Sequence, residues 1–319
     1  MDINLFVLIA WGFFLWIGGY GVGLLSHKNL KRKIVWFVAV LTTIISIILS
    51  FKLQPIYRML VIVSLQLLAM KPIVLIESYP QKSKLNFVQW SVFALSWFGM
   101  RPILFEKLKS PPLHKTAYFF IKGISRILIG VVFIFLAHII SLEILAHLLR
   151  LVGLSFILHF GILNISTGVW RKMGVDVKEL FIAPYQSKSL KEFWGKRWNM
   201  AFSEMTALIV YKPLKTKWGV HAAMFISFLI SGVLHEIAIS FPVNAGYGSP
   251  LLYFLIHGVL MYLENKILWI KKITQQTILS RLWVYFWLII PMPLLFHEKF
   301  MNQIVKPICN LILTILNLN

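Results

Sequence analysis

Long apolar runs broken by short basic stretches set the pattern of this chain. The first uncharged run, residues 3–26, is long enough to cross a hydrocarbon core of about 30 Å. Hydropathy predicts helical spans over residues 3–25, 34–51 and 55–70. Gly18, Gly19, Gly21 and Gly23 near the end of the first predict close helix packing there, and Pro72 predicts an end or a kink of the third. Residues 87–100 are apolar but short, which suits a tilted or re-entrant segment. Spans over 119–140 and 142–163 follow so closely that they form a tight hairpin or one broken helix. Further spans are expected at 221–241, 251–270, 282–296 and 304–318, with a turn-rich loop, PVNAGYGSP, at 242–250. The pattern predicts nine to eleven membrane segments. It shows no fixed-period repeat and no low-complexity tract, so residues 1–319 read as one all-α polytopic transmembrane bundle with a distinctive motif region at 189–242.

Composition agrees: of 319 residues, 59% are hydrophobic and 13% charged, half the charge of a usual soluble domain. Asp2 stands where a leader would carry basic residues, and no small-residue cleavage site follows, so the first run is expected to remain as a span. Basic residues outnumber acidic ones, 32 to 11, but are scattered between spans, which favours lipid headgroups over nucleic acid. The cluster Lys28, Lys31, Arg32 and Lys33 reads as a loop over residues 27–33, cytoplasmic by the positive-inside rule. Cys309 is the only cysteine, so no intrachain disulfide or cysteine metal cluster can form.

Two strings carry the candidate chemistry. In SLKEFWGKRWN, residues 189–199, Ser189 and Glu192 have capping-box spacing, so a helix should begin at Leu190. Trp194 and Trp198 lie four apart on it, with Lys196, Arg197 and, at the point where the chain turns apolar again, Asn199. Local chemistry allows an interfacial anchor, but an anchor has no use for Asn199. The second string, SGVLHE, ends an apolar helix with His235 and Glu236. Ionisable groups in membrane segments cost a few kcal/mol and are functional by default. The neutral imidazole is favoured there and can accept a proton. Ser231, four residues earlier, can bond that imidazole, while Glu236 points elsewhere on the helix. His257 lies on nearly the same face as Glu264, and could line the same cavity or make a helix–helix hydrogen bond.

Several enzyme classes are excluded. His235-Glu236 is not a metalloprotease signature, because Ile239 occupies the second histidine position. No Gly-x-Ser-x-Gly elbow surrounds a serine, and Asp2 and Asp176 are the only aspartates. No phosphate-binding or dinucleotide loop is present. Ionisable residues within spans would also suit a proton-coupled transporter, but two related halves are missing.

On these residues the chain resembles the membrane-bound O-acyltransferase superfamily, and most of all its wax synthase branch. SLKEFWGKRWN follows that branch's motif nearly letter for letter. VYKPL at 210–214, LISGVLHEIAISFP at 229–242 and, more weakly, SWFGMRPILF at 96–105 echo other family segments. The resemblance implies transfer of an acyl chain from coenzyme A to a hydroxyl of a lipophilic alcohol, with His235 as general base and Asn199 positioning the substrate. Trp194, Lys196, Arg197, Trp198, Ser231, Glu236 and His257 become candidate substrate-binding residues, and the basic stretch 188–217, taken as facing the cytoplasm, suits the phosphates of coenzyme A. It implies no metal and no resident cofactor, acyl-CoA being a co-substrate, and a bacterial inner membrane or endoplasmic reticulum as location. A sterol, diacylglycerol, polysaccharide or specialised metabolite stays open as the acceptor.

Overall fold

A computed structural model describes residues 3–318; Asp2 lies outside the described residues. They form helices and connecting loops, without a strand among them. Helices α1 (Ile3–Leu24), α2 (Lys28–Leu49) and α3 (Pro55–Ser78) come first, then the ten-residue α4 (Phe87–Ser96). A tight connection joins α5 (Thr116–Ile139) to α6 (Glu143–Lys172), the predicted hairpin. The motif helix α7 (Leu190–Glu192) runs straight into a π turn, Phe193–Arg197. The long α8 (Met200–Val243) is followed by α9 (Ser249–Lys266), α10 (Leu268–Gln275), α11 (Thr277–Leu295) and α12 (Lys306–Ile315).

Helix α3 is the central pillar: 56% of its apolar window is buried, against 17% for α1 and for α2. Close approach makes this possible. A Cβ at Gly19 would meet Pro72 at 2.7 Å, and one at Gly23 would meet Leu75 at 2.7 Å, whereas Gly18 and Gly21 face open or ordinary space. The polar groups buried on α3 find partners, as they must in hydrocarbon. Lys71 donates to the carbonyls of Trp97 (2.5 Å) and Gly99 (2.8 Å) and lies over the Phe93 ring. Arg58 donates to Asn244 at 3.0 Å.

The structure departs from the sequence pattern, or fills it in, in five places. Residues 27–33 are not a loop. Helix α2 begins at Lys28, and its basic first turns are held by tertiary bonds: Lys31 is buried and donates to the carbonyls of Tyr79 and Gln81, and Arg32 pairs with Glu77 at 2.6 Å. Pro72 does not end α3, which continues to Ser78, because burial against α1 outweighs the lost hydrogen bond. The basic stretch 188–217 is largely helical. Ala201, Met205, Thr206 and Val210 are buried, and the exposed Lys212, Lys215 and Lys217 occupy its end. The helix of His235 does not stop there but passes through a π turn, Glu236–Ser240, to Val243. Finally, seven helices among the described residues are long and apolar enough to span a membrane, or eight if α9 and α10, bent by 91°, count as one. The surplus in the predicted count comes from short pieces such as α4 and α12.

At 44 residues α8 would extend about 66 Å as one straight helix, twice a hydrocarbon core. It breaks at Gly219, whose φ of 84° is open to glycine and costly for other residues. The two arms so formed, residues 200–218 and 220–243, wall the site described next.

Candidate active site

The first wall is the motif. Ser189 caps α7, its Oγ accepting the Glu192 N–H at 3.0 Å. Glu192 does not complete the capping box. Its carboxylate accepts the Lys188 N–H at 2.9 Å and the Arg197 Nε at 2.7 Å. Desolvation alone would raise the Glu192 carboxyl, but these two bonds together with the positive charges of Arg197 and Lys196 outweigh it and hold the group below the usual carboxylate range. The motif helix is shorter than its sequence suggests. It ends at Arg197, Trp198 is extended, and Asn199 turns into the left-handed region with φ 44° and ψ 64°. Asparagine tolerates that conformation better than most residues. Backbone bonds from Ile182 N–H to the Arg197 carbonyl and from Met200 N–H to the Leu180 carbonyl, both 2.8 Å, clamp the turn.

Asn199 is also the N-cap of α8. Its Oδ1 accepts the Phe202 N–H at 3.1 Å. An N–H donor demands the amide oxygen, so the orientation of the carboxamide is chemically determined, and Nδ2 is the end left to donate elsewhere.

The second wall is the far arm of α8. His235 Nδ1 lies 2.7 Å from the Ser231 backbone carbonyl. A carbonyl only accepts, so Nδ1 carries the proton and Nε2 keeps its lone pair. Ser231 therefore sets the tautomer through its main chain. Its hydroxyl is occupied with the Ser227 carbonyl at 2.9 Å. The imidazole packs against Phe254 of α9, ring centroids 4.2 Å apart.

Asn199 and His235 line one cavity of about 540 Å³. Aromatic and apolar groups, among them Trp194, Trp198, Phe228 and Phe254, form most of its wall, with Ser231, Ser203 and Thr206 as polar points. Trp194 Nε1 and Thr206 Oγ1 are buried without a hydrogen-bond partner among the described residues. Such a chamber can hold an apolar chain, exclude water and present a donor and a base to a reacting centre.

Of the nine residues singled out from the sequence, Asn199, His235, Trp194, Trp198 and Ser231 line this cavity; Lys196, Arg197, Glu236 and His257 do not. Arg197 is turned toward Glu192 and the Ile182 and Ala183 carbonyls, where it ties the motif to the preceding loop. Lys196 is exposed on the outer side. The Oε1 atom of Glu236 accepts the Leu251 N–H at 3.0 Å at the start of α9. His257 is fully buried behind Trp194, their ring centroids 5.4 Å apart, with Nδ1 bonded to the Tyr253 carbonyl at 2.8 Å. The basic residue at the cavity is instead Lys191, three residues before Trp194 on one helical face, a spacing visible in the sequence. Tyr211, within the VYKPL segment, also lines it, as do Phe254, His221 and Tyr262, which carry no motif that would have marked them.

The sequence profile of the Membrane bound O-acyl transferase family matches residues 177–256, the segment that holds both walls and the start of α9. A Long-chain-alcohol O-fatty-acyltransferase of Simmondsia chinensis is 32% identical over 101 residues, 29% of this chain and 29% of that protein. The Probable long-chain-alcohol O-fatty-acyltransferase 7 of Arabidopsis thaliana is 34% identical over 96 residues, 27% of this chain and 28% of its own length. The Probable long-chain-alcohol O-fatty-acyltransferase 6 of the same plant is 32% identical over 111 residues, 33% of this chain and 32% of its own. The matches thus span about a third or less of these curated relatives. Residues 177–256 thus resemble the Membrane bound O-acyl transferase family, and the multi-pass membrane chain that carries them is similar to the long-chain-alcohol O-fatty-acyltransferases.

Proposed function

We propose that this protein transfers a fatty acyl group from acyl-CoA to the hydroxyl of a long-chain lipophilic alcohol, releasing coenzyme A. The observation that carries the reading is the shared cavity, with a proton-accepting nitrogen on one wall and an amide donor on the other. His235 Nε2 takes the alcohol proton as the oxygen attacks the thioester carbonyl carbon. Asn199 Nδ2 donates to the carbonyl oxygen as it gains charge. The carbon–sulfur bond then breaks, the imidazolium returns its proton to the thiolate, and the ester and the free thiol leave. No acyl-enzyme and no resident cofactor enter this sequence. The aromatic lining keeps water from the thioester, which favours the alcohol as acceptor. The reaction needs a membrane that dissolves the alcohol and an adjoining compartment that holds acyl-CoA; a bacterial inner membrane and the endoplasmic reticulum both qualify.

The test is thiol release by purified protein in nanodiscs, with fatty alcohols, diacylglycerol and a sterol as separate acceptors and mass detection of the product. Ester formation fastest with a long-chain alcohol is the expected result. A preference for diacylglycerol or sterol would overturn the acceptor, and no acyl transfer to any of them would overturn the reaction.

A further inference from the structure

We propose that Glu264 is a positioning residue: from the end of α9 its carboxylate sets the motif helix, and with it Asn199, against His235. This rests on the acyl-transfer reading above.

Glu264 differs from six of the other acidic side chains. Glu77, Glu143, Asp176, Glu179, Glu192 and Glu204 each lie within salt-bridge distance of a cation. Glu264 is buried, 6% exposed, and has no such cation among the described residues. Three neutral N–H groups converge on it. Oε1 accepts from the Leu190 backbone at 2.8 Å and from the Trp283 indole at 2.9 Å, and Oε2 accepts from the Lys191 backbone at 3.2 Å. Leu190 and Lys191 are the first two residues of α7, whose third N–H goes to Ser189. The free donors of that first turn are thus shared between a local serine and a carboxylate more than seventy residues away. Burying a carboxylate costs several kcal/mol unless its lone pairs are met. At position 264 three neutral N–H groups meet them, in place of an ion pair.

What the carboxylate holds explains why it is there. Helix α9 touches the two walls at its two ends. Near its start, Leu251 N–H donates to Glu236, the residue after His235, and Phe254 packs on the His235 ring. At its end, Glu264 holds α7, which leads into the π turn of Trp194 and the extended Trp198, both at the cavity, and so to Asn199. Leu251 and Glu264 are separated by about 20 Å of helix at 1.5 Å per residue. Helix α9 is therefore a strut of set length between the base and the amide donor, pinned at both ends by a carboxylate on backbone N–H groups.

The experiment compares Glu264→Ala and Glu264→Gln with the wild type, full-length in nanodiscs. A glutamine keeps an oxygen for Leu190 and Trp283 and gives up the bond to Lys191. A misplacement of about 1 Å costs up to about 100-fold in rate. Glu264→Ala is expected to lower kcat about 10- to 100-fold per folded protein, with KM for acyl-CoA within about twofold, and Glu264→Gln to recover most of it. Hydrogen exchange gives an activity-independent readout: amides of residues 188–194 exchange faster in Glu264→Ala, while those of 227–240 do not change. Loss of folded protein at unchanged kcat, or unchanged exchange at 188–194, overturns the proposal. If the wild type transfers no acyl group, the reading of function fails by itself, and the exchange comparison still decides whether Glu264 holds α7.

Discussion

The first three helices and the segment from Leu190 to Val243 are both mainly helical, yet they are built differently. Helices α1 to α3 are regular from end to end, and Gly19 and Gly23 pack them closely. The second segment is interrupted by π turns at Phe193–Arg197, Ala207–Tyr211 and Glu236–Ser240, by left-handed Asn199 and by the break at Gly219. Single π turns are rare and gather at functional sites, though Phe156–Ile162 of α6 and Met301–Val305 are π turns outside the cavity lining. Each extra residue rotates the following face by about 100° relative to a regular helix. A regular helix delivers its side chains where periodicity says, which suits a scaffold. An interrupted one can turn several polar groups toward one chamber, which suits a site.

If that division of labour is right, the largest effect of substitution falls on the interrupted segment. His235→Ala should lower kcat by about 10³-fold while the melting temperature in detergent stays near that of wild type, since a general base contributes about 10² to 10⁴. Activity within tenfold of wild type would remove His235 from the chemistry. Asn199 sharpens the comparison because it both caps α8 and faces the cavity. Asn199→Asp keeps a capping oxygen and tolerates the left-handed turn but loses the Nδ2 donor. It should lower kcat by about 10²-fold with stability nearly kept. Asn199→Ala should lose the activity and also about 1 kcal/mol of stability. Activity of Asn199→Asp within tenfold of wild type would reduce Asn199 to a cap.

Gly195 tests the chamber itself. It lines the cavity, and a Cβ there meets nothing within 4 Å. Gly195→Leu should leave the melting temperature nearly unchanged and depress turnover of the longest acyl chains first, about tenfold; an unaltered chain-length profile would mean that substrate does not pass this point. At the scaffold end the signs reverse. A Cβ at Gly130 on α5 would meet the Gly153 carbonyl of α6 at 2.6 Å, so Gly130→Ala should cost about 1–3 kcal/mol, read as a lower melting temperature, with kcat per folded protein within about twofold. A selective loss of kcat there would erase the distinction between scaffold and site.

Much of the scaffold was readable in the sequence. Hydropathy placed α1 and α5 within a few residues and the starts of α3 and α6, whose ends lie eight and nine residues beyond the predicted ones, and the 119–140/142–163 spacing gave the hairpin. In the site, the capping serine, Asn199 and His235 were readable because each breaks a local rule: a polar group at the edge of an apolar run, or an ionisable one inside it. Lys196, Arg197, Glu236 and His257 came forward through the family motif or a shared helical face, and neither says which group a side chain meets: Arg197 and Glu236 bond a neighbouring loop and helix, and His257 lies behind Trp194. Glu264 stood out only as a neighbour of His257, since its partners Leu190, Lys191 and Trp283 are distant in sequence.

The sequence by itself determined that the chain is a polytopic helical membrane protein and which two residues invite a chemical explanation. Burial of uncharged runs and the cost of ionisable groups are local properties, written residue by residue. Tertiary structure decided that Asn199 and His235 share a chamber, which nitrogen of His235 keeps its lone pair, and which carboxylates hold the walls apart. Those outcomes depend on backbone N–H and carbonyl groups of other helices, and every residue except proline carries both, so no pattern of side chains could have named them.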